Sequence, residues 1–509
     1  MENPTKNNPL QNAFLQKTAS AALTPFSIEL LAFLIGAAIL VLEITGSRLL
    51  APEFGSSIFV WTAQIFTVLV ALSLGYLWGG RLADSKDGTV EVSRMLLGAS
   101  LSLSLSLLFS GILLPLSALF GAKIGPFVFS ASLFFLPCFF AGALTPLLLR
   151  IYVHSFGSVG NDAGKLYAIS TIGSMAGALL SAYLIVPFIG AKAGILLACA
   201  FFALCAAYLI RKPTSLLVAC FLVLVFSSYS LASLTTVLVP SSFSILSEYD
   251  SEYFHFRIVQ NSTHRALLLD ADWHSMSALN GTGIQFEYAR QMAQAAELSI
   301  SQKEKARIGI IGLGAGTLAS YFSQKNHSVY AYEIDPQVHE AAKKYFSLPS
   351  ADNLRVHIGD ARESLSKYLA IKYPTKFDVL LVDAFASKYS IPAHLVTKEA
   401  FNVYSAAISK NGIIAINIIS AQSSPKSLVF RSISSTMRAT FPYQVALASP
   451  ASLPNGVQNI VLIGSAQPFP APFISSLEKN NPVLQSWGQG EIFTDERSFV
   501  DYAMMEVLQ

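Results

Sequence analysis

The stretch RIGIIGLGAG (307–316) leads into VYAYEID (329–335), HIGDAR (357–362) and VLLVDAF (379–385). Each piece is an apolar run that ends on glycine or on an acid. The first ends in Gly312, Gly314 and Gly316, which permit a tight turn and close approach of a ligand to backbone before a helix begins. The second ends in Glu333, about 20 residues further on, where a carboxylate can accept two ribose hydroxyl hydrogen bonds. Asp360, with Ala361 beside it, ends the third and is placed for an adenine amino group. Asp383 ends the fourth and faces the reacting part of the ligand. A single acid at a strand end is often only a helix cap. Three in this order behind a glycine loop read as a nucleoside-binding, Rossmann-like parallel sheet.

Outward from this stretch the composition is uneven. The 509 residues are 53% hydrophobic and 13% charged, against about 25% charged in ordinary soluble domains. The long apolar runs fall in 26–239, and 240–509 has soluble composition. A net charge of +3 without a Lys/Arg cluster excludes nucleic acid as a partner. Cys138, Cys199, Cys205 and Cys220 all lie in apolar runs, with no metal-ligand spacing, and read as small buried hydrophobes. No metal is expected.

A membrane-crossing helix needs about 20 apolar residues. Candidates are 26–46, 57–78, 95–119, 124–149, 165–188, 191–210 and 214–239, about seven spans behind a polar tail, 1–25. The small residues of STIGSMAGALLSA (170–182) predict close helix packing. Glu43 and Arg48 stand out, because an acid within a span needs a partner or water. Glu43 reads either as a contact for a cationic amine or lipid headgroup, or as half of a structural pair with Arg48 or Arg81. Nine Lys/Arg on the N-terminal side of the bundle against three opposite put the N-terminus in the cytoplasm. An odd number of spans then places the C-terminal half outside, whereas a cytosolic nucleoside places it inside. A re-entrant 214–239, with Ser227, Ser228, Tyr229 and Ser230 at its centre, would reconcile the two.

In the soluble half, FHFRIVQ (254–260) and RALLLDADWHSM (265–276) predict a small antiparallel β subdomain over 240–283. A helix over 284–298 and β/α alternation to about residue 420 follow, within a Rossmann-like domain at 284–509. Ligands bind such sheets at the carboxyl ends of the strands, where the strand order reverses.

Residues 246–509 resemble spermidine synthases, the aminopropyltransferase branch of the AdoMet-dependent methyltransferase fold. The resemblance rests on SEYDSEYFHFRIV (247–259), LLLDADWHS (267–275), FEYARQM (286–292), the strand series above and DAFASKYSIPAHLVTKEAF (383–401). LEITGSRLLAPEFGSSIFVW (42–61) and GYLWGGRLAD (75–84) resemble the bacterial subgroup in which such a domain follows a multi-span bundle. The resemblance implies S-adenosylmethionine or its decarboxylated form as substrate, Asp383 as catalytic base, and His274 and Tyr288 in the pocket wall. It also implies an integral inner-membrane protein with a small-molecule substrate, in the bilayer, as a monomer or a homodimer.

The chain departs from the family pattern. Ala315 stands where an Asp holds the aminopropyl ammonium, and Ala386 where a second Asp helps hold the diamine. His274 replaces a glutamine, and Arg290 a glutamate. Arg290 reads either as a partner for the carboxylate of AdoMet, which its planar fork suits, or as an exposed helix residue. The expected reaction breaks a sulfonium C–S bond and releases methylthioadenosine, by transfer, lyase chemistry or cyclisation. The alternatives are methyl transfer to a membrane-presented acceptor, and a transporter or sensor with a nucleoside- or polyamine-binding domain.

Overall fold

A computed structural model describes residues 23–54, 58–85, 88–153, 159–210, 240, 242–251, 253–270, 272–281, 283–371, 374–385, 391–449, 453–497 and 500–508. The chain divides into two compact units. One comprises 1–46, 63–113 and 129–234; the other comprises 47–62, 114–128 and 235–509.

The helices are α1 (Pro25–Phe54), α2 (Ile58–Ser85), α3 (Gly88–Ala118), α4 (Gly121–Tyr152), α5 (Val159–Leu180), α6 (Val186–Ile189) and α7 (Ala191–Ile210). A π-helical turn, Ser181–Ile185, joins α5 to α6. Among the described residues, six helical stretches are long and apolar enough to cross a membrane. The expected span 214–239, with Ser227–Ser230 and Cys220, lies outside the described residues. The polar stretch 79–94 lies mostly within helices, since α2 runs on to Ser85 and α3 starts at Gly88. Helical hydrogen bonding carries past the apolar boundary there, aided by an Arg94–Glu91 pair at 2.6 Å with (i, i+3) spacing.

Small residues set the packing of the first unit. A Cβ at Gly173 would fall 1.9 Å from the carbonyl oxygen of Phe33, so α5 and α1 touch backbone to backbone. Gly142 of α4 meets the backbone of Leu72 on α2 in the same way. A buried hydroxyl also bonds between helices: Ser130 of α4 donates to Gln64 Oε1 of α2 at 2.9 Å. Glu43 and Arg48 do not form the structural pair considered above. Five residues turn a helix through about 500°, leaving the two side chains well apart around the axis. Arg48 donates instead to the carbonyl of Tyr253 at 2.7 Å, within the second unit.

In the second unit, β1 (Ser244–Asp250), β2 (His255–Gln260), β3 (His264–Leu269) and β4 (Asp272–Ala278) form an antiparallel sheet in that order. The single run RALLLDADWHSM is two strands. Its break is Asp270, which takes φ +54° and accepts from the His255 N–H at 3.1 Å. Helix α8 (Glu287–Ile300) follows.

The larger sheet contains β5 (Arg307–Ile311), β6 (Ser328–Glu333), β7 (Leu354–Ile358), β8 (Phe377–Val382), β9 (Ile408–Ser420), β10 (Tyr443–Leu447) and β11 (Gln458–Ser465). The order is β10-β11-β9-β8-β5-β6-β7. Strands β5 to β9 are parallel; β10 and β11 are antiparallel additions. Ile308, Ile310 and Val379–Val382 are buried, as expected of central strands covered on both faces. Helices α9 (Thr317–Gln324), α10 (Pro336–Phe346), α11 (Ala361–Leu369), α12 (Lys398–Ala407), α13 (Leu428–Met437), α14 (Ala471–Asn480) and α15 (Val500–Leu508) complete the unit. The order reverses between β5 and β8, so a crevice opens at their carboxyl ends.

Candidate functional site

That crevice holds a cavity of about 610 Å³. Its floor is the row of strand ends, and its other walls come from β4, the start of α8 and the segment 392–395. Gly312 leaves β5 with φ +90°, and a Cβ there would lie 2.1 Å from the Asp383 carbonyl oxygen. Only glycine lets the β5 and β8 ends sit this close. A Cβ on Gly314 would press on Ser275 Oγ at 2.6 Å, so β4 closes directly over the loop. Gly316, at φ +79°, precedes α9.

Glu333 is 7% exposed. Its Oε2 accepts from the N–H groups of Leu313 (3.0 Å) and Gly314 (3.4 Å), and its Oε1 from that of Asp335 (3.0 Å). Burial lifts its carboxyl above the usual range, and the three backbone donors oppose that rise. Asp360 both lines the cavity and caps a helix. Its Oδ1 accepts from Glu363 N at 2.8 Å, and its Oδ2 meets His394 Nε2 at 2.7 Å. Ala361 begins α11 and lines the wall without a polar group.

Asp383 is held from several sides. Its N–H donates to the Ile311 carbonyl at 2.8 Å, and its Oδ1 accepts from Asn417 Nδ2 at 2.9 Å. Asn417 Oδ1 in turn accepts from Asn459 Nδ2 at 3.0 Å. Tyr288 stands beside the Asp383 carboxyl in the cavity wall. Burial pushes that carboxyl up to about 6, although Asn417 and Tyr288 pull the other way. The Tyr288 phenol is raised by its own burial and by the Asp383 charge. His274 is lowered to about 4 by burial, hence neutral at pH 7, and its ring stands edge-on to Phe385 at 6.2 Å.

The cavity therefore brings together Gly312, Gly314, Glu333, Asp360, Ala361, Asp383, His274 and Tyr288. Arg290 is a correction. It sits one half-turn beyond Tyr288 on α8, has a 52% exposed side chain, pairs with Glu287 and donates to the Ile284 carbonyl at 3.0 Å. It forms no part of the wall. Ala315 is buried, and its N–H donates to Ser275 Oγ at 3.1 Å. Ala386 lies outside the described residues.

Sequence reading missed His394, Asn417, Asn459 and Ser275. A polar residue ending an apolar strand, as in GIIAINIIS (412–420), was the available signal for Asn417. The described lining residues carry three carboxylates, from Glu333, Asp360 and Asp383, and no Lys or Arg. Among the described residues no group of three His, Cys, Asp or Glu is arranged to hold a metal.

The family model described as spermine/spermidine synthase domain matches residues 285–469. A polyamine aminopropyltransferase of Vibrio vulnificus is 36% identical over 138 residues, 26% of this chain and 43% of that protein. The chain thus matches less than half the length of this relative. An N-terminal histidine N-methyltransferase of Emericella nidulans is 33% identical over 108 residues, 21% of this chain and 19% of that protein. Among solved structures, a probable spermidine synthase from Corynebacterium glutamicum is similar at a TM-score of 0.42 and 22% identity, over 49% of this chain and 91% of that one. On the match over 285–469, the C-terminal part of this chain carries a spermine/spermidine synthase domain.

Proposed function

We propose that the chain is a membrane-bound enzyme that binds AdoMet or decarboxylated AdoMet and breaks the sulfonium bond to an aminopropyl-type chain, releasing methylthioadenosine. The carrying observation is the order of groups along one sheet edge: Asp360, Glu333, the glycine loop and Asp383 line a single cavity from β7 to β8. This order suits an adenosyl ligand, with adenine at Asp360, ribose at Glu333 and the sulfonium beside Asp383. The sulfonium is already a good leaving group, so the protein supplies position and a base. With a carboxyl near 6, Asp383 is ionised at pH 7 and can take a proton from the nucleophile. Asn417 holds it toward the cavity, with Tyr288 beside it in the wall. The six apolar helices support placement in a membrane, and a cytosolic supply of donor favours a cytoplasmic C-terminal half.

The test is to incubate the purified full chain with each donor and identify the nucleoside product by mass spectrometry. Methylthioadenosine is expected. A second reading, methyl transfer, is favoured by Ala315 in the glycine loop, which leaves no carboxylate for an aminopropyl ammonium at that point. It gives S-adenosylhomocysteine instead.

A further inference from the structure

Asp383 divides the cavity into two halves of different character. On one side, over β5, β6 and β7, the charged Glu333 and Asp360 and the polar His394 lie among apolar neighbours such as Leu313 and Ile334. On the other side the floor continues over β9 and β11. There the lining residues are Asn417, Ile419, Val457, Gln458 and Asn459, and Trp273 and Phe385 line the same cavity. Asn459 pairs with Ile419 across the β9–β11 ladder, so Asn417, Ile419 and Asn459 stand on one face of the sheet.

This second half contains no charged side chain among the described residues beyond Asp383 at its border. Its amides are also largely committed. Gln458 Oε1 accepts from Ser449 N at 3.0 Å, and its Nε2 donates to the Leu453 carbonyl at 3.2 Å. Asn417 bridges Asp383 and Asn459. Among the described residues only the Nδ2 of the Asn459 side chain is bonded, so its amide carbonyl oxygen, Oδ1, is the acceptor left over.

A diamine brings two ammonium groups. One can be met and deprotonated by Asp383. The other would reach a wall of Ile419, Val457, Trp273 and neutral amides, and a charge brought there without a counter-ion is strongly disfavoured. Building on the alkyl-transfer reading above, we propose that the acceptor is a primary monoamine on an uncharged, apolar body. Its nitrogen docks between Asp383 and the Asn459 carbonyl, and its body lies against Ile419, Val457 and Trp273. The ammonium gives one proton to the Asp383 carboxylate. The freed nitrogen lone pair attacks the carbon bonded to the sulfonium. The C–S bonding electrons pass to sulfur, which leaves as the neutral thioether, and the product is a secondary ammonium.

The test compares hexylamine with hexamethylenediamine, equal in length and differing by one terminal amine. Purified full-length protein receives each amine with AdoMet and with decarboxylated AdoMet, and both the alkylated amine and methylthioadenosine are quantified. We expect kcat/KM for hexylamine to exceed that for the diamine by about tenfold or more, the scale set by an unpaired charge. Equal or better use of the diamine, with methylthioadenosine released, overturns the acceptor assignment and leaves alkyl transfer standing. Release of methylthioadenosine at the same rate without any amine also overturns it, in favour of lyase or cyclisation chemistry. Absence of methylthioadenosine under every condition overturns both.

The variant Val457→Asp supplies the missing counter-ion where the body of the acceptor lies, with Val457→Ser as its neutral control. The Asp variant should move the diamine-to-monoamine ratio toward the diamine by about tenfold, while the Ser variant leaves it near the wild-type value. An unmoved ratio in an Asp variant that still releases methylthioadenosine overturns the placement of the acceptor on this wall.

Discussion

Glu333, Asp360 and Asp383 are chemically similar residues made different by what surrounds them. Glu333 is wrapped by three backbone N–H groups, which fix its Oε2 toward the glycine loop and its Oε1 toward Asp335. Glu333→Ala is expected to weaken methylthioadenosine binding by about 1–3 kcal/mol, the scale of hydrogen bonds to a charged group. Titration calorimetry on the folded variant checks this, and unchanged affinity rejects the ribose placement. Asp383 is half-buried and lacks the backbone wrapping, and desolvation pushes its carboxyl up to about 6. Asp383→Asn should retain nucleoside affinity and lower turnover by about 10²–10⁴-fold, the range of a positioned base. The base acts ionised, so wild-type kcat/KM should fall as pH drops through about 6 and level off above it. The Asn variant should lack this limb. Arg290 gives the opposite expectation. Its guanidinium is spent on Glu287 and on the carbonyl of Ile284. Arg290→Ala should leave affinity for AdoMet within about 0.5 kcal/mol of wild type, as for ordinary surface changes. A larger loss in calorimetry would put this residue back at the donor.

At the scale of elements, the site depends on the meeting of β5 and β8. Gly312 occupies φ +90°, and any Cβ would collide with the Asp383 carbonyl. Gly312→Ala is therefore expected to cost at least about 1–3 kcal/mol of stability from backbone strain alone. It should also displace Asp383, so a lower melting temperature and weakened turnover should appear together. Loss of neither would mean that the strand ends can part without consequence. The same elements show what sequence could reveal. Apolar runs with acids at their ends gave the parallel strands, because central strands must be apolar on both faces and ligand-facing polar groups collect where they stop. The turn at Asp270 was hidden, since its positive φ is held by hydrogen bonding to His255 and carries no Gly or Pro marker. His394 was hidden for a different reason: its partner Asp360 is 34 residues away and meets it only once α11 and the segment 392–395 are packed. Arg290 stands two positions beyond Tyr288, about 200° around the helix, which turns a residue next to a wall position out to solvent and leaves it with the second of its two readings.

At the scale of the whole molecule, 53% hydrophobic content serves two different purposes. In the second unit the apolar residues are largely enclosed, on both faces of the large sheet. In the first unit many are outward-facing: Phe66, Leu69, Leu105, Ile112, Ile172 and Leu179 are all exposed along helices of membrane-crossing length. A soluble protein seldom exposes apolar patches beyond a few hundred Å². Hydrocarbon is the environment in which such helix surfaces carry no cost, and helices satisfy their backbone groups internally. The chain should therefore sediment with membranes and stay there through high salt and alkaline carbonate, which strip proteins held by charge alone. Detergent should release it. Release by carbonate without detergent would show that the helices only lie against a surface, because insertion of several spans is not reversed by pH or ionic strength. Substituting Leu69 and Ile172 with Arg provides a sharper check, since a charge near the centre of a span costs about 2.5–3.5 kcal/mol on insertion. The doubly substituted chain should accumulate poorly in membranes, while the same changes on a solvent-facing helix would improve solubility and leave yield intact.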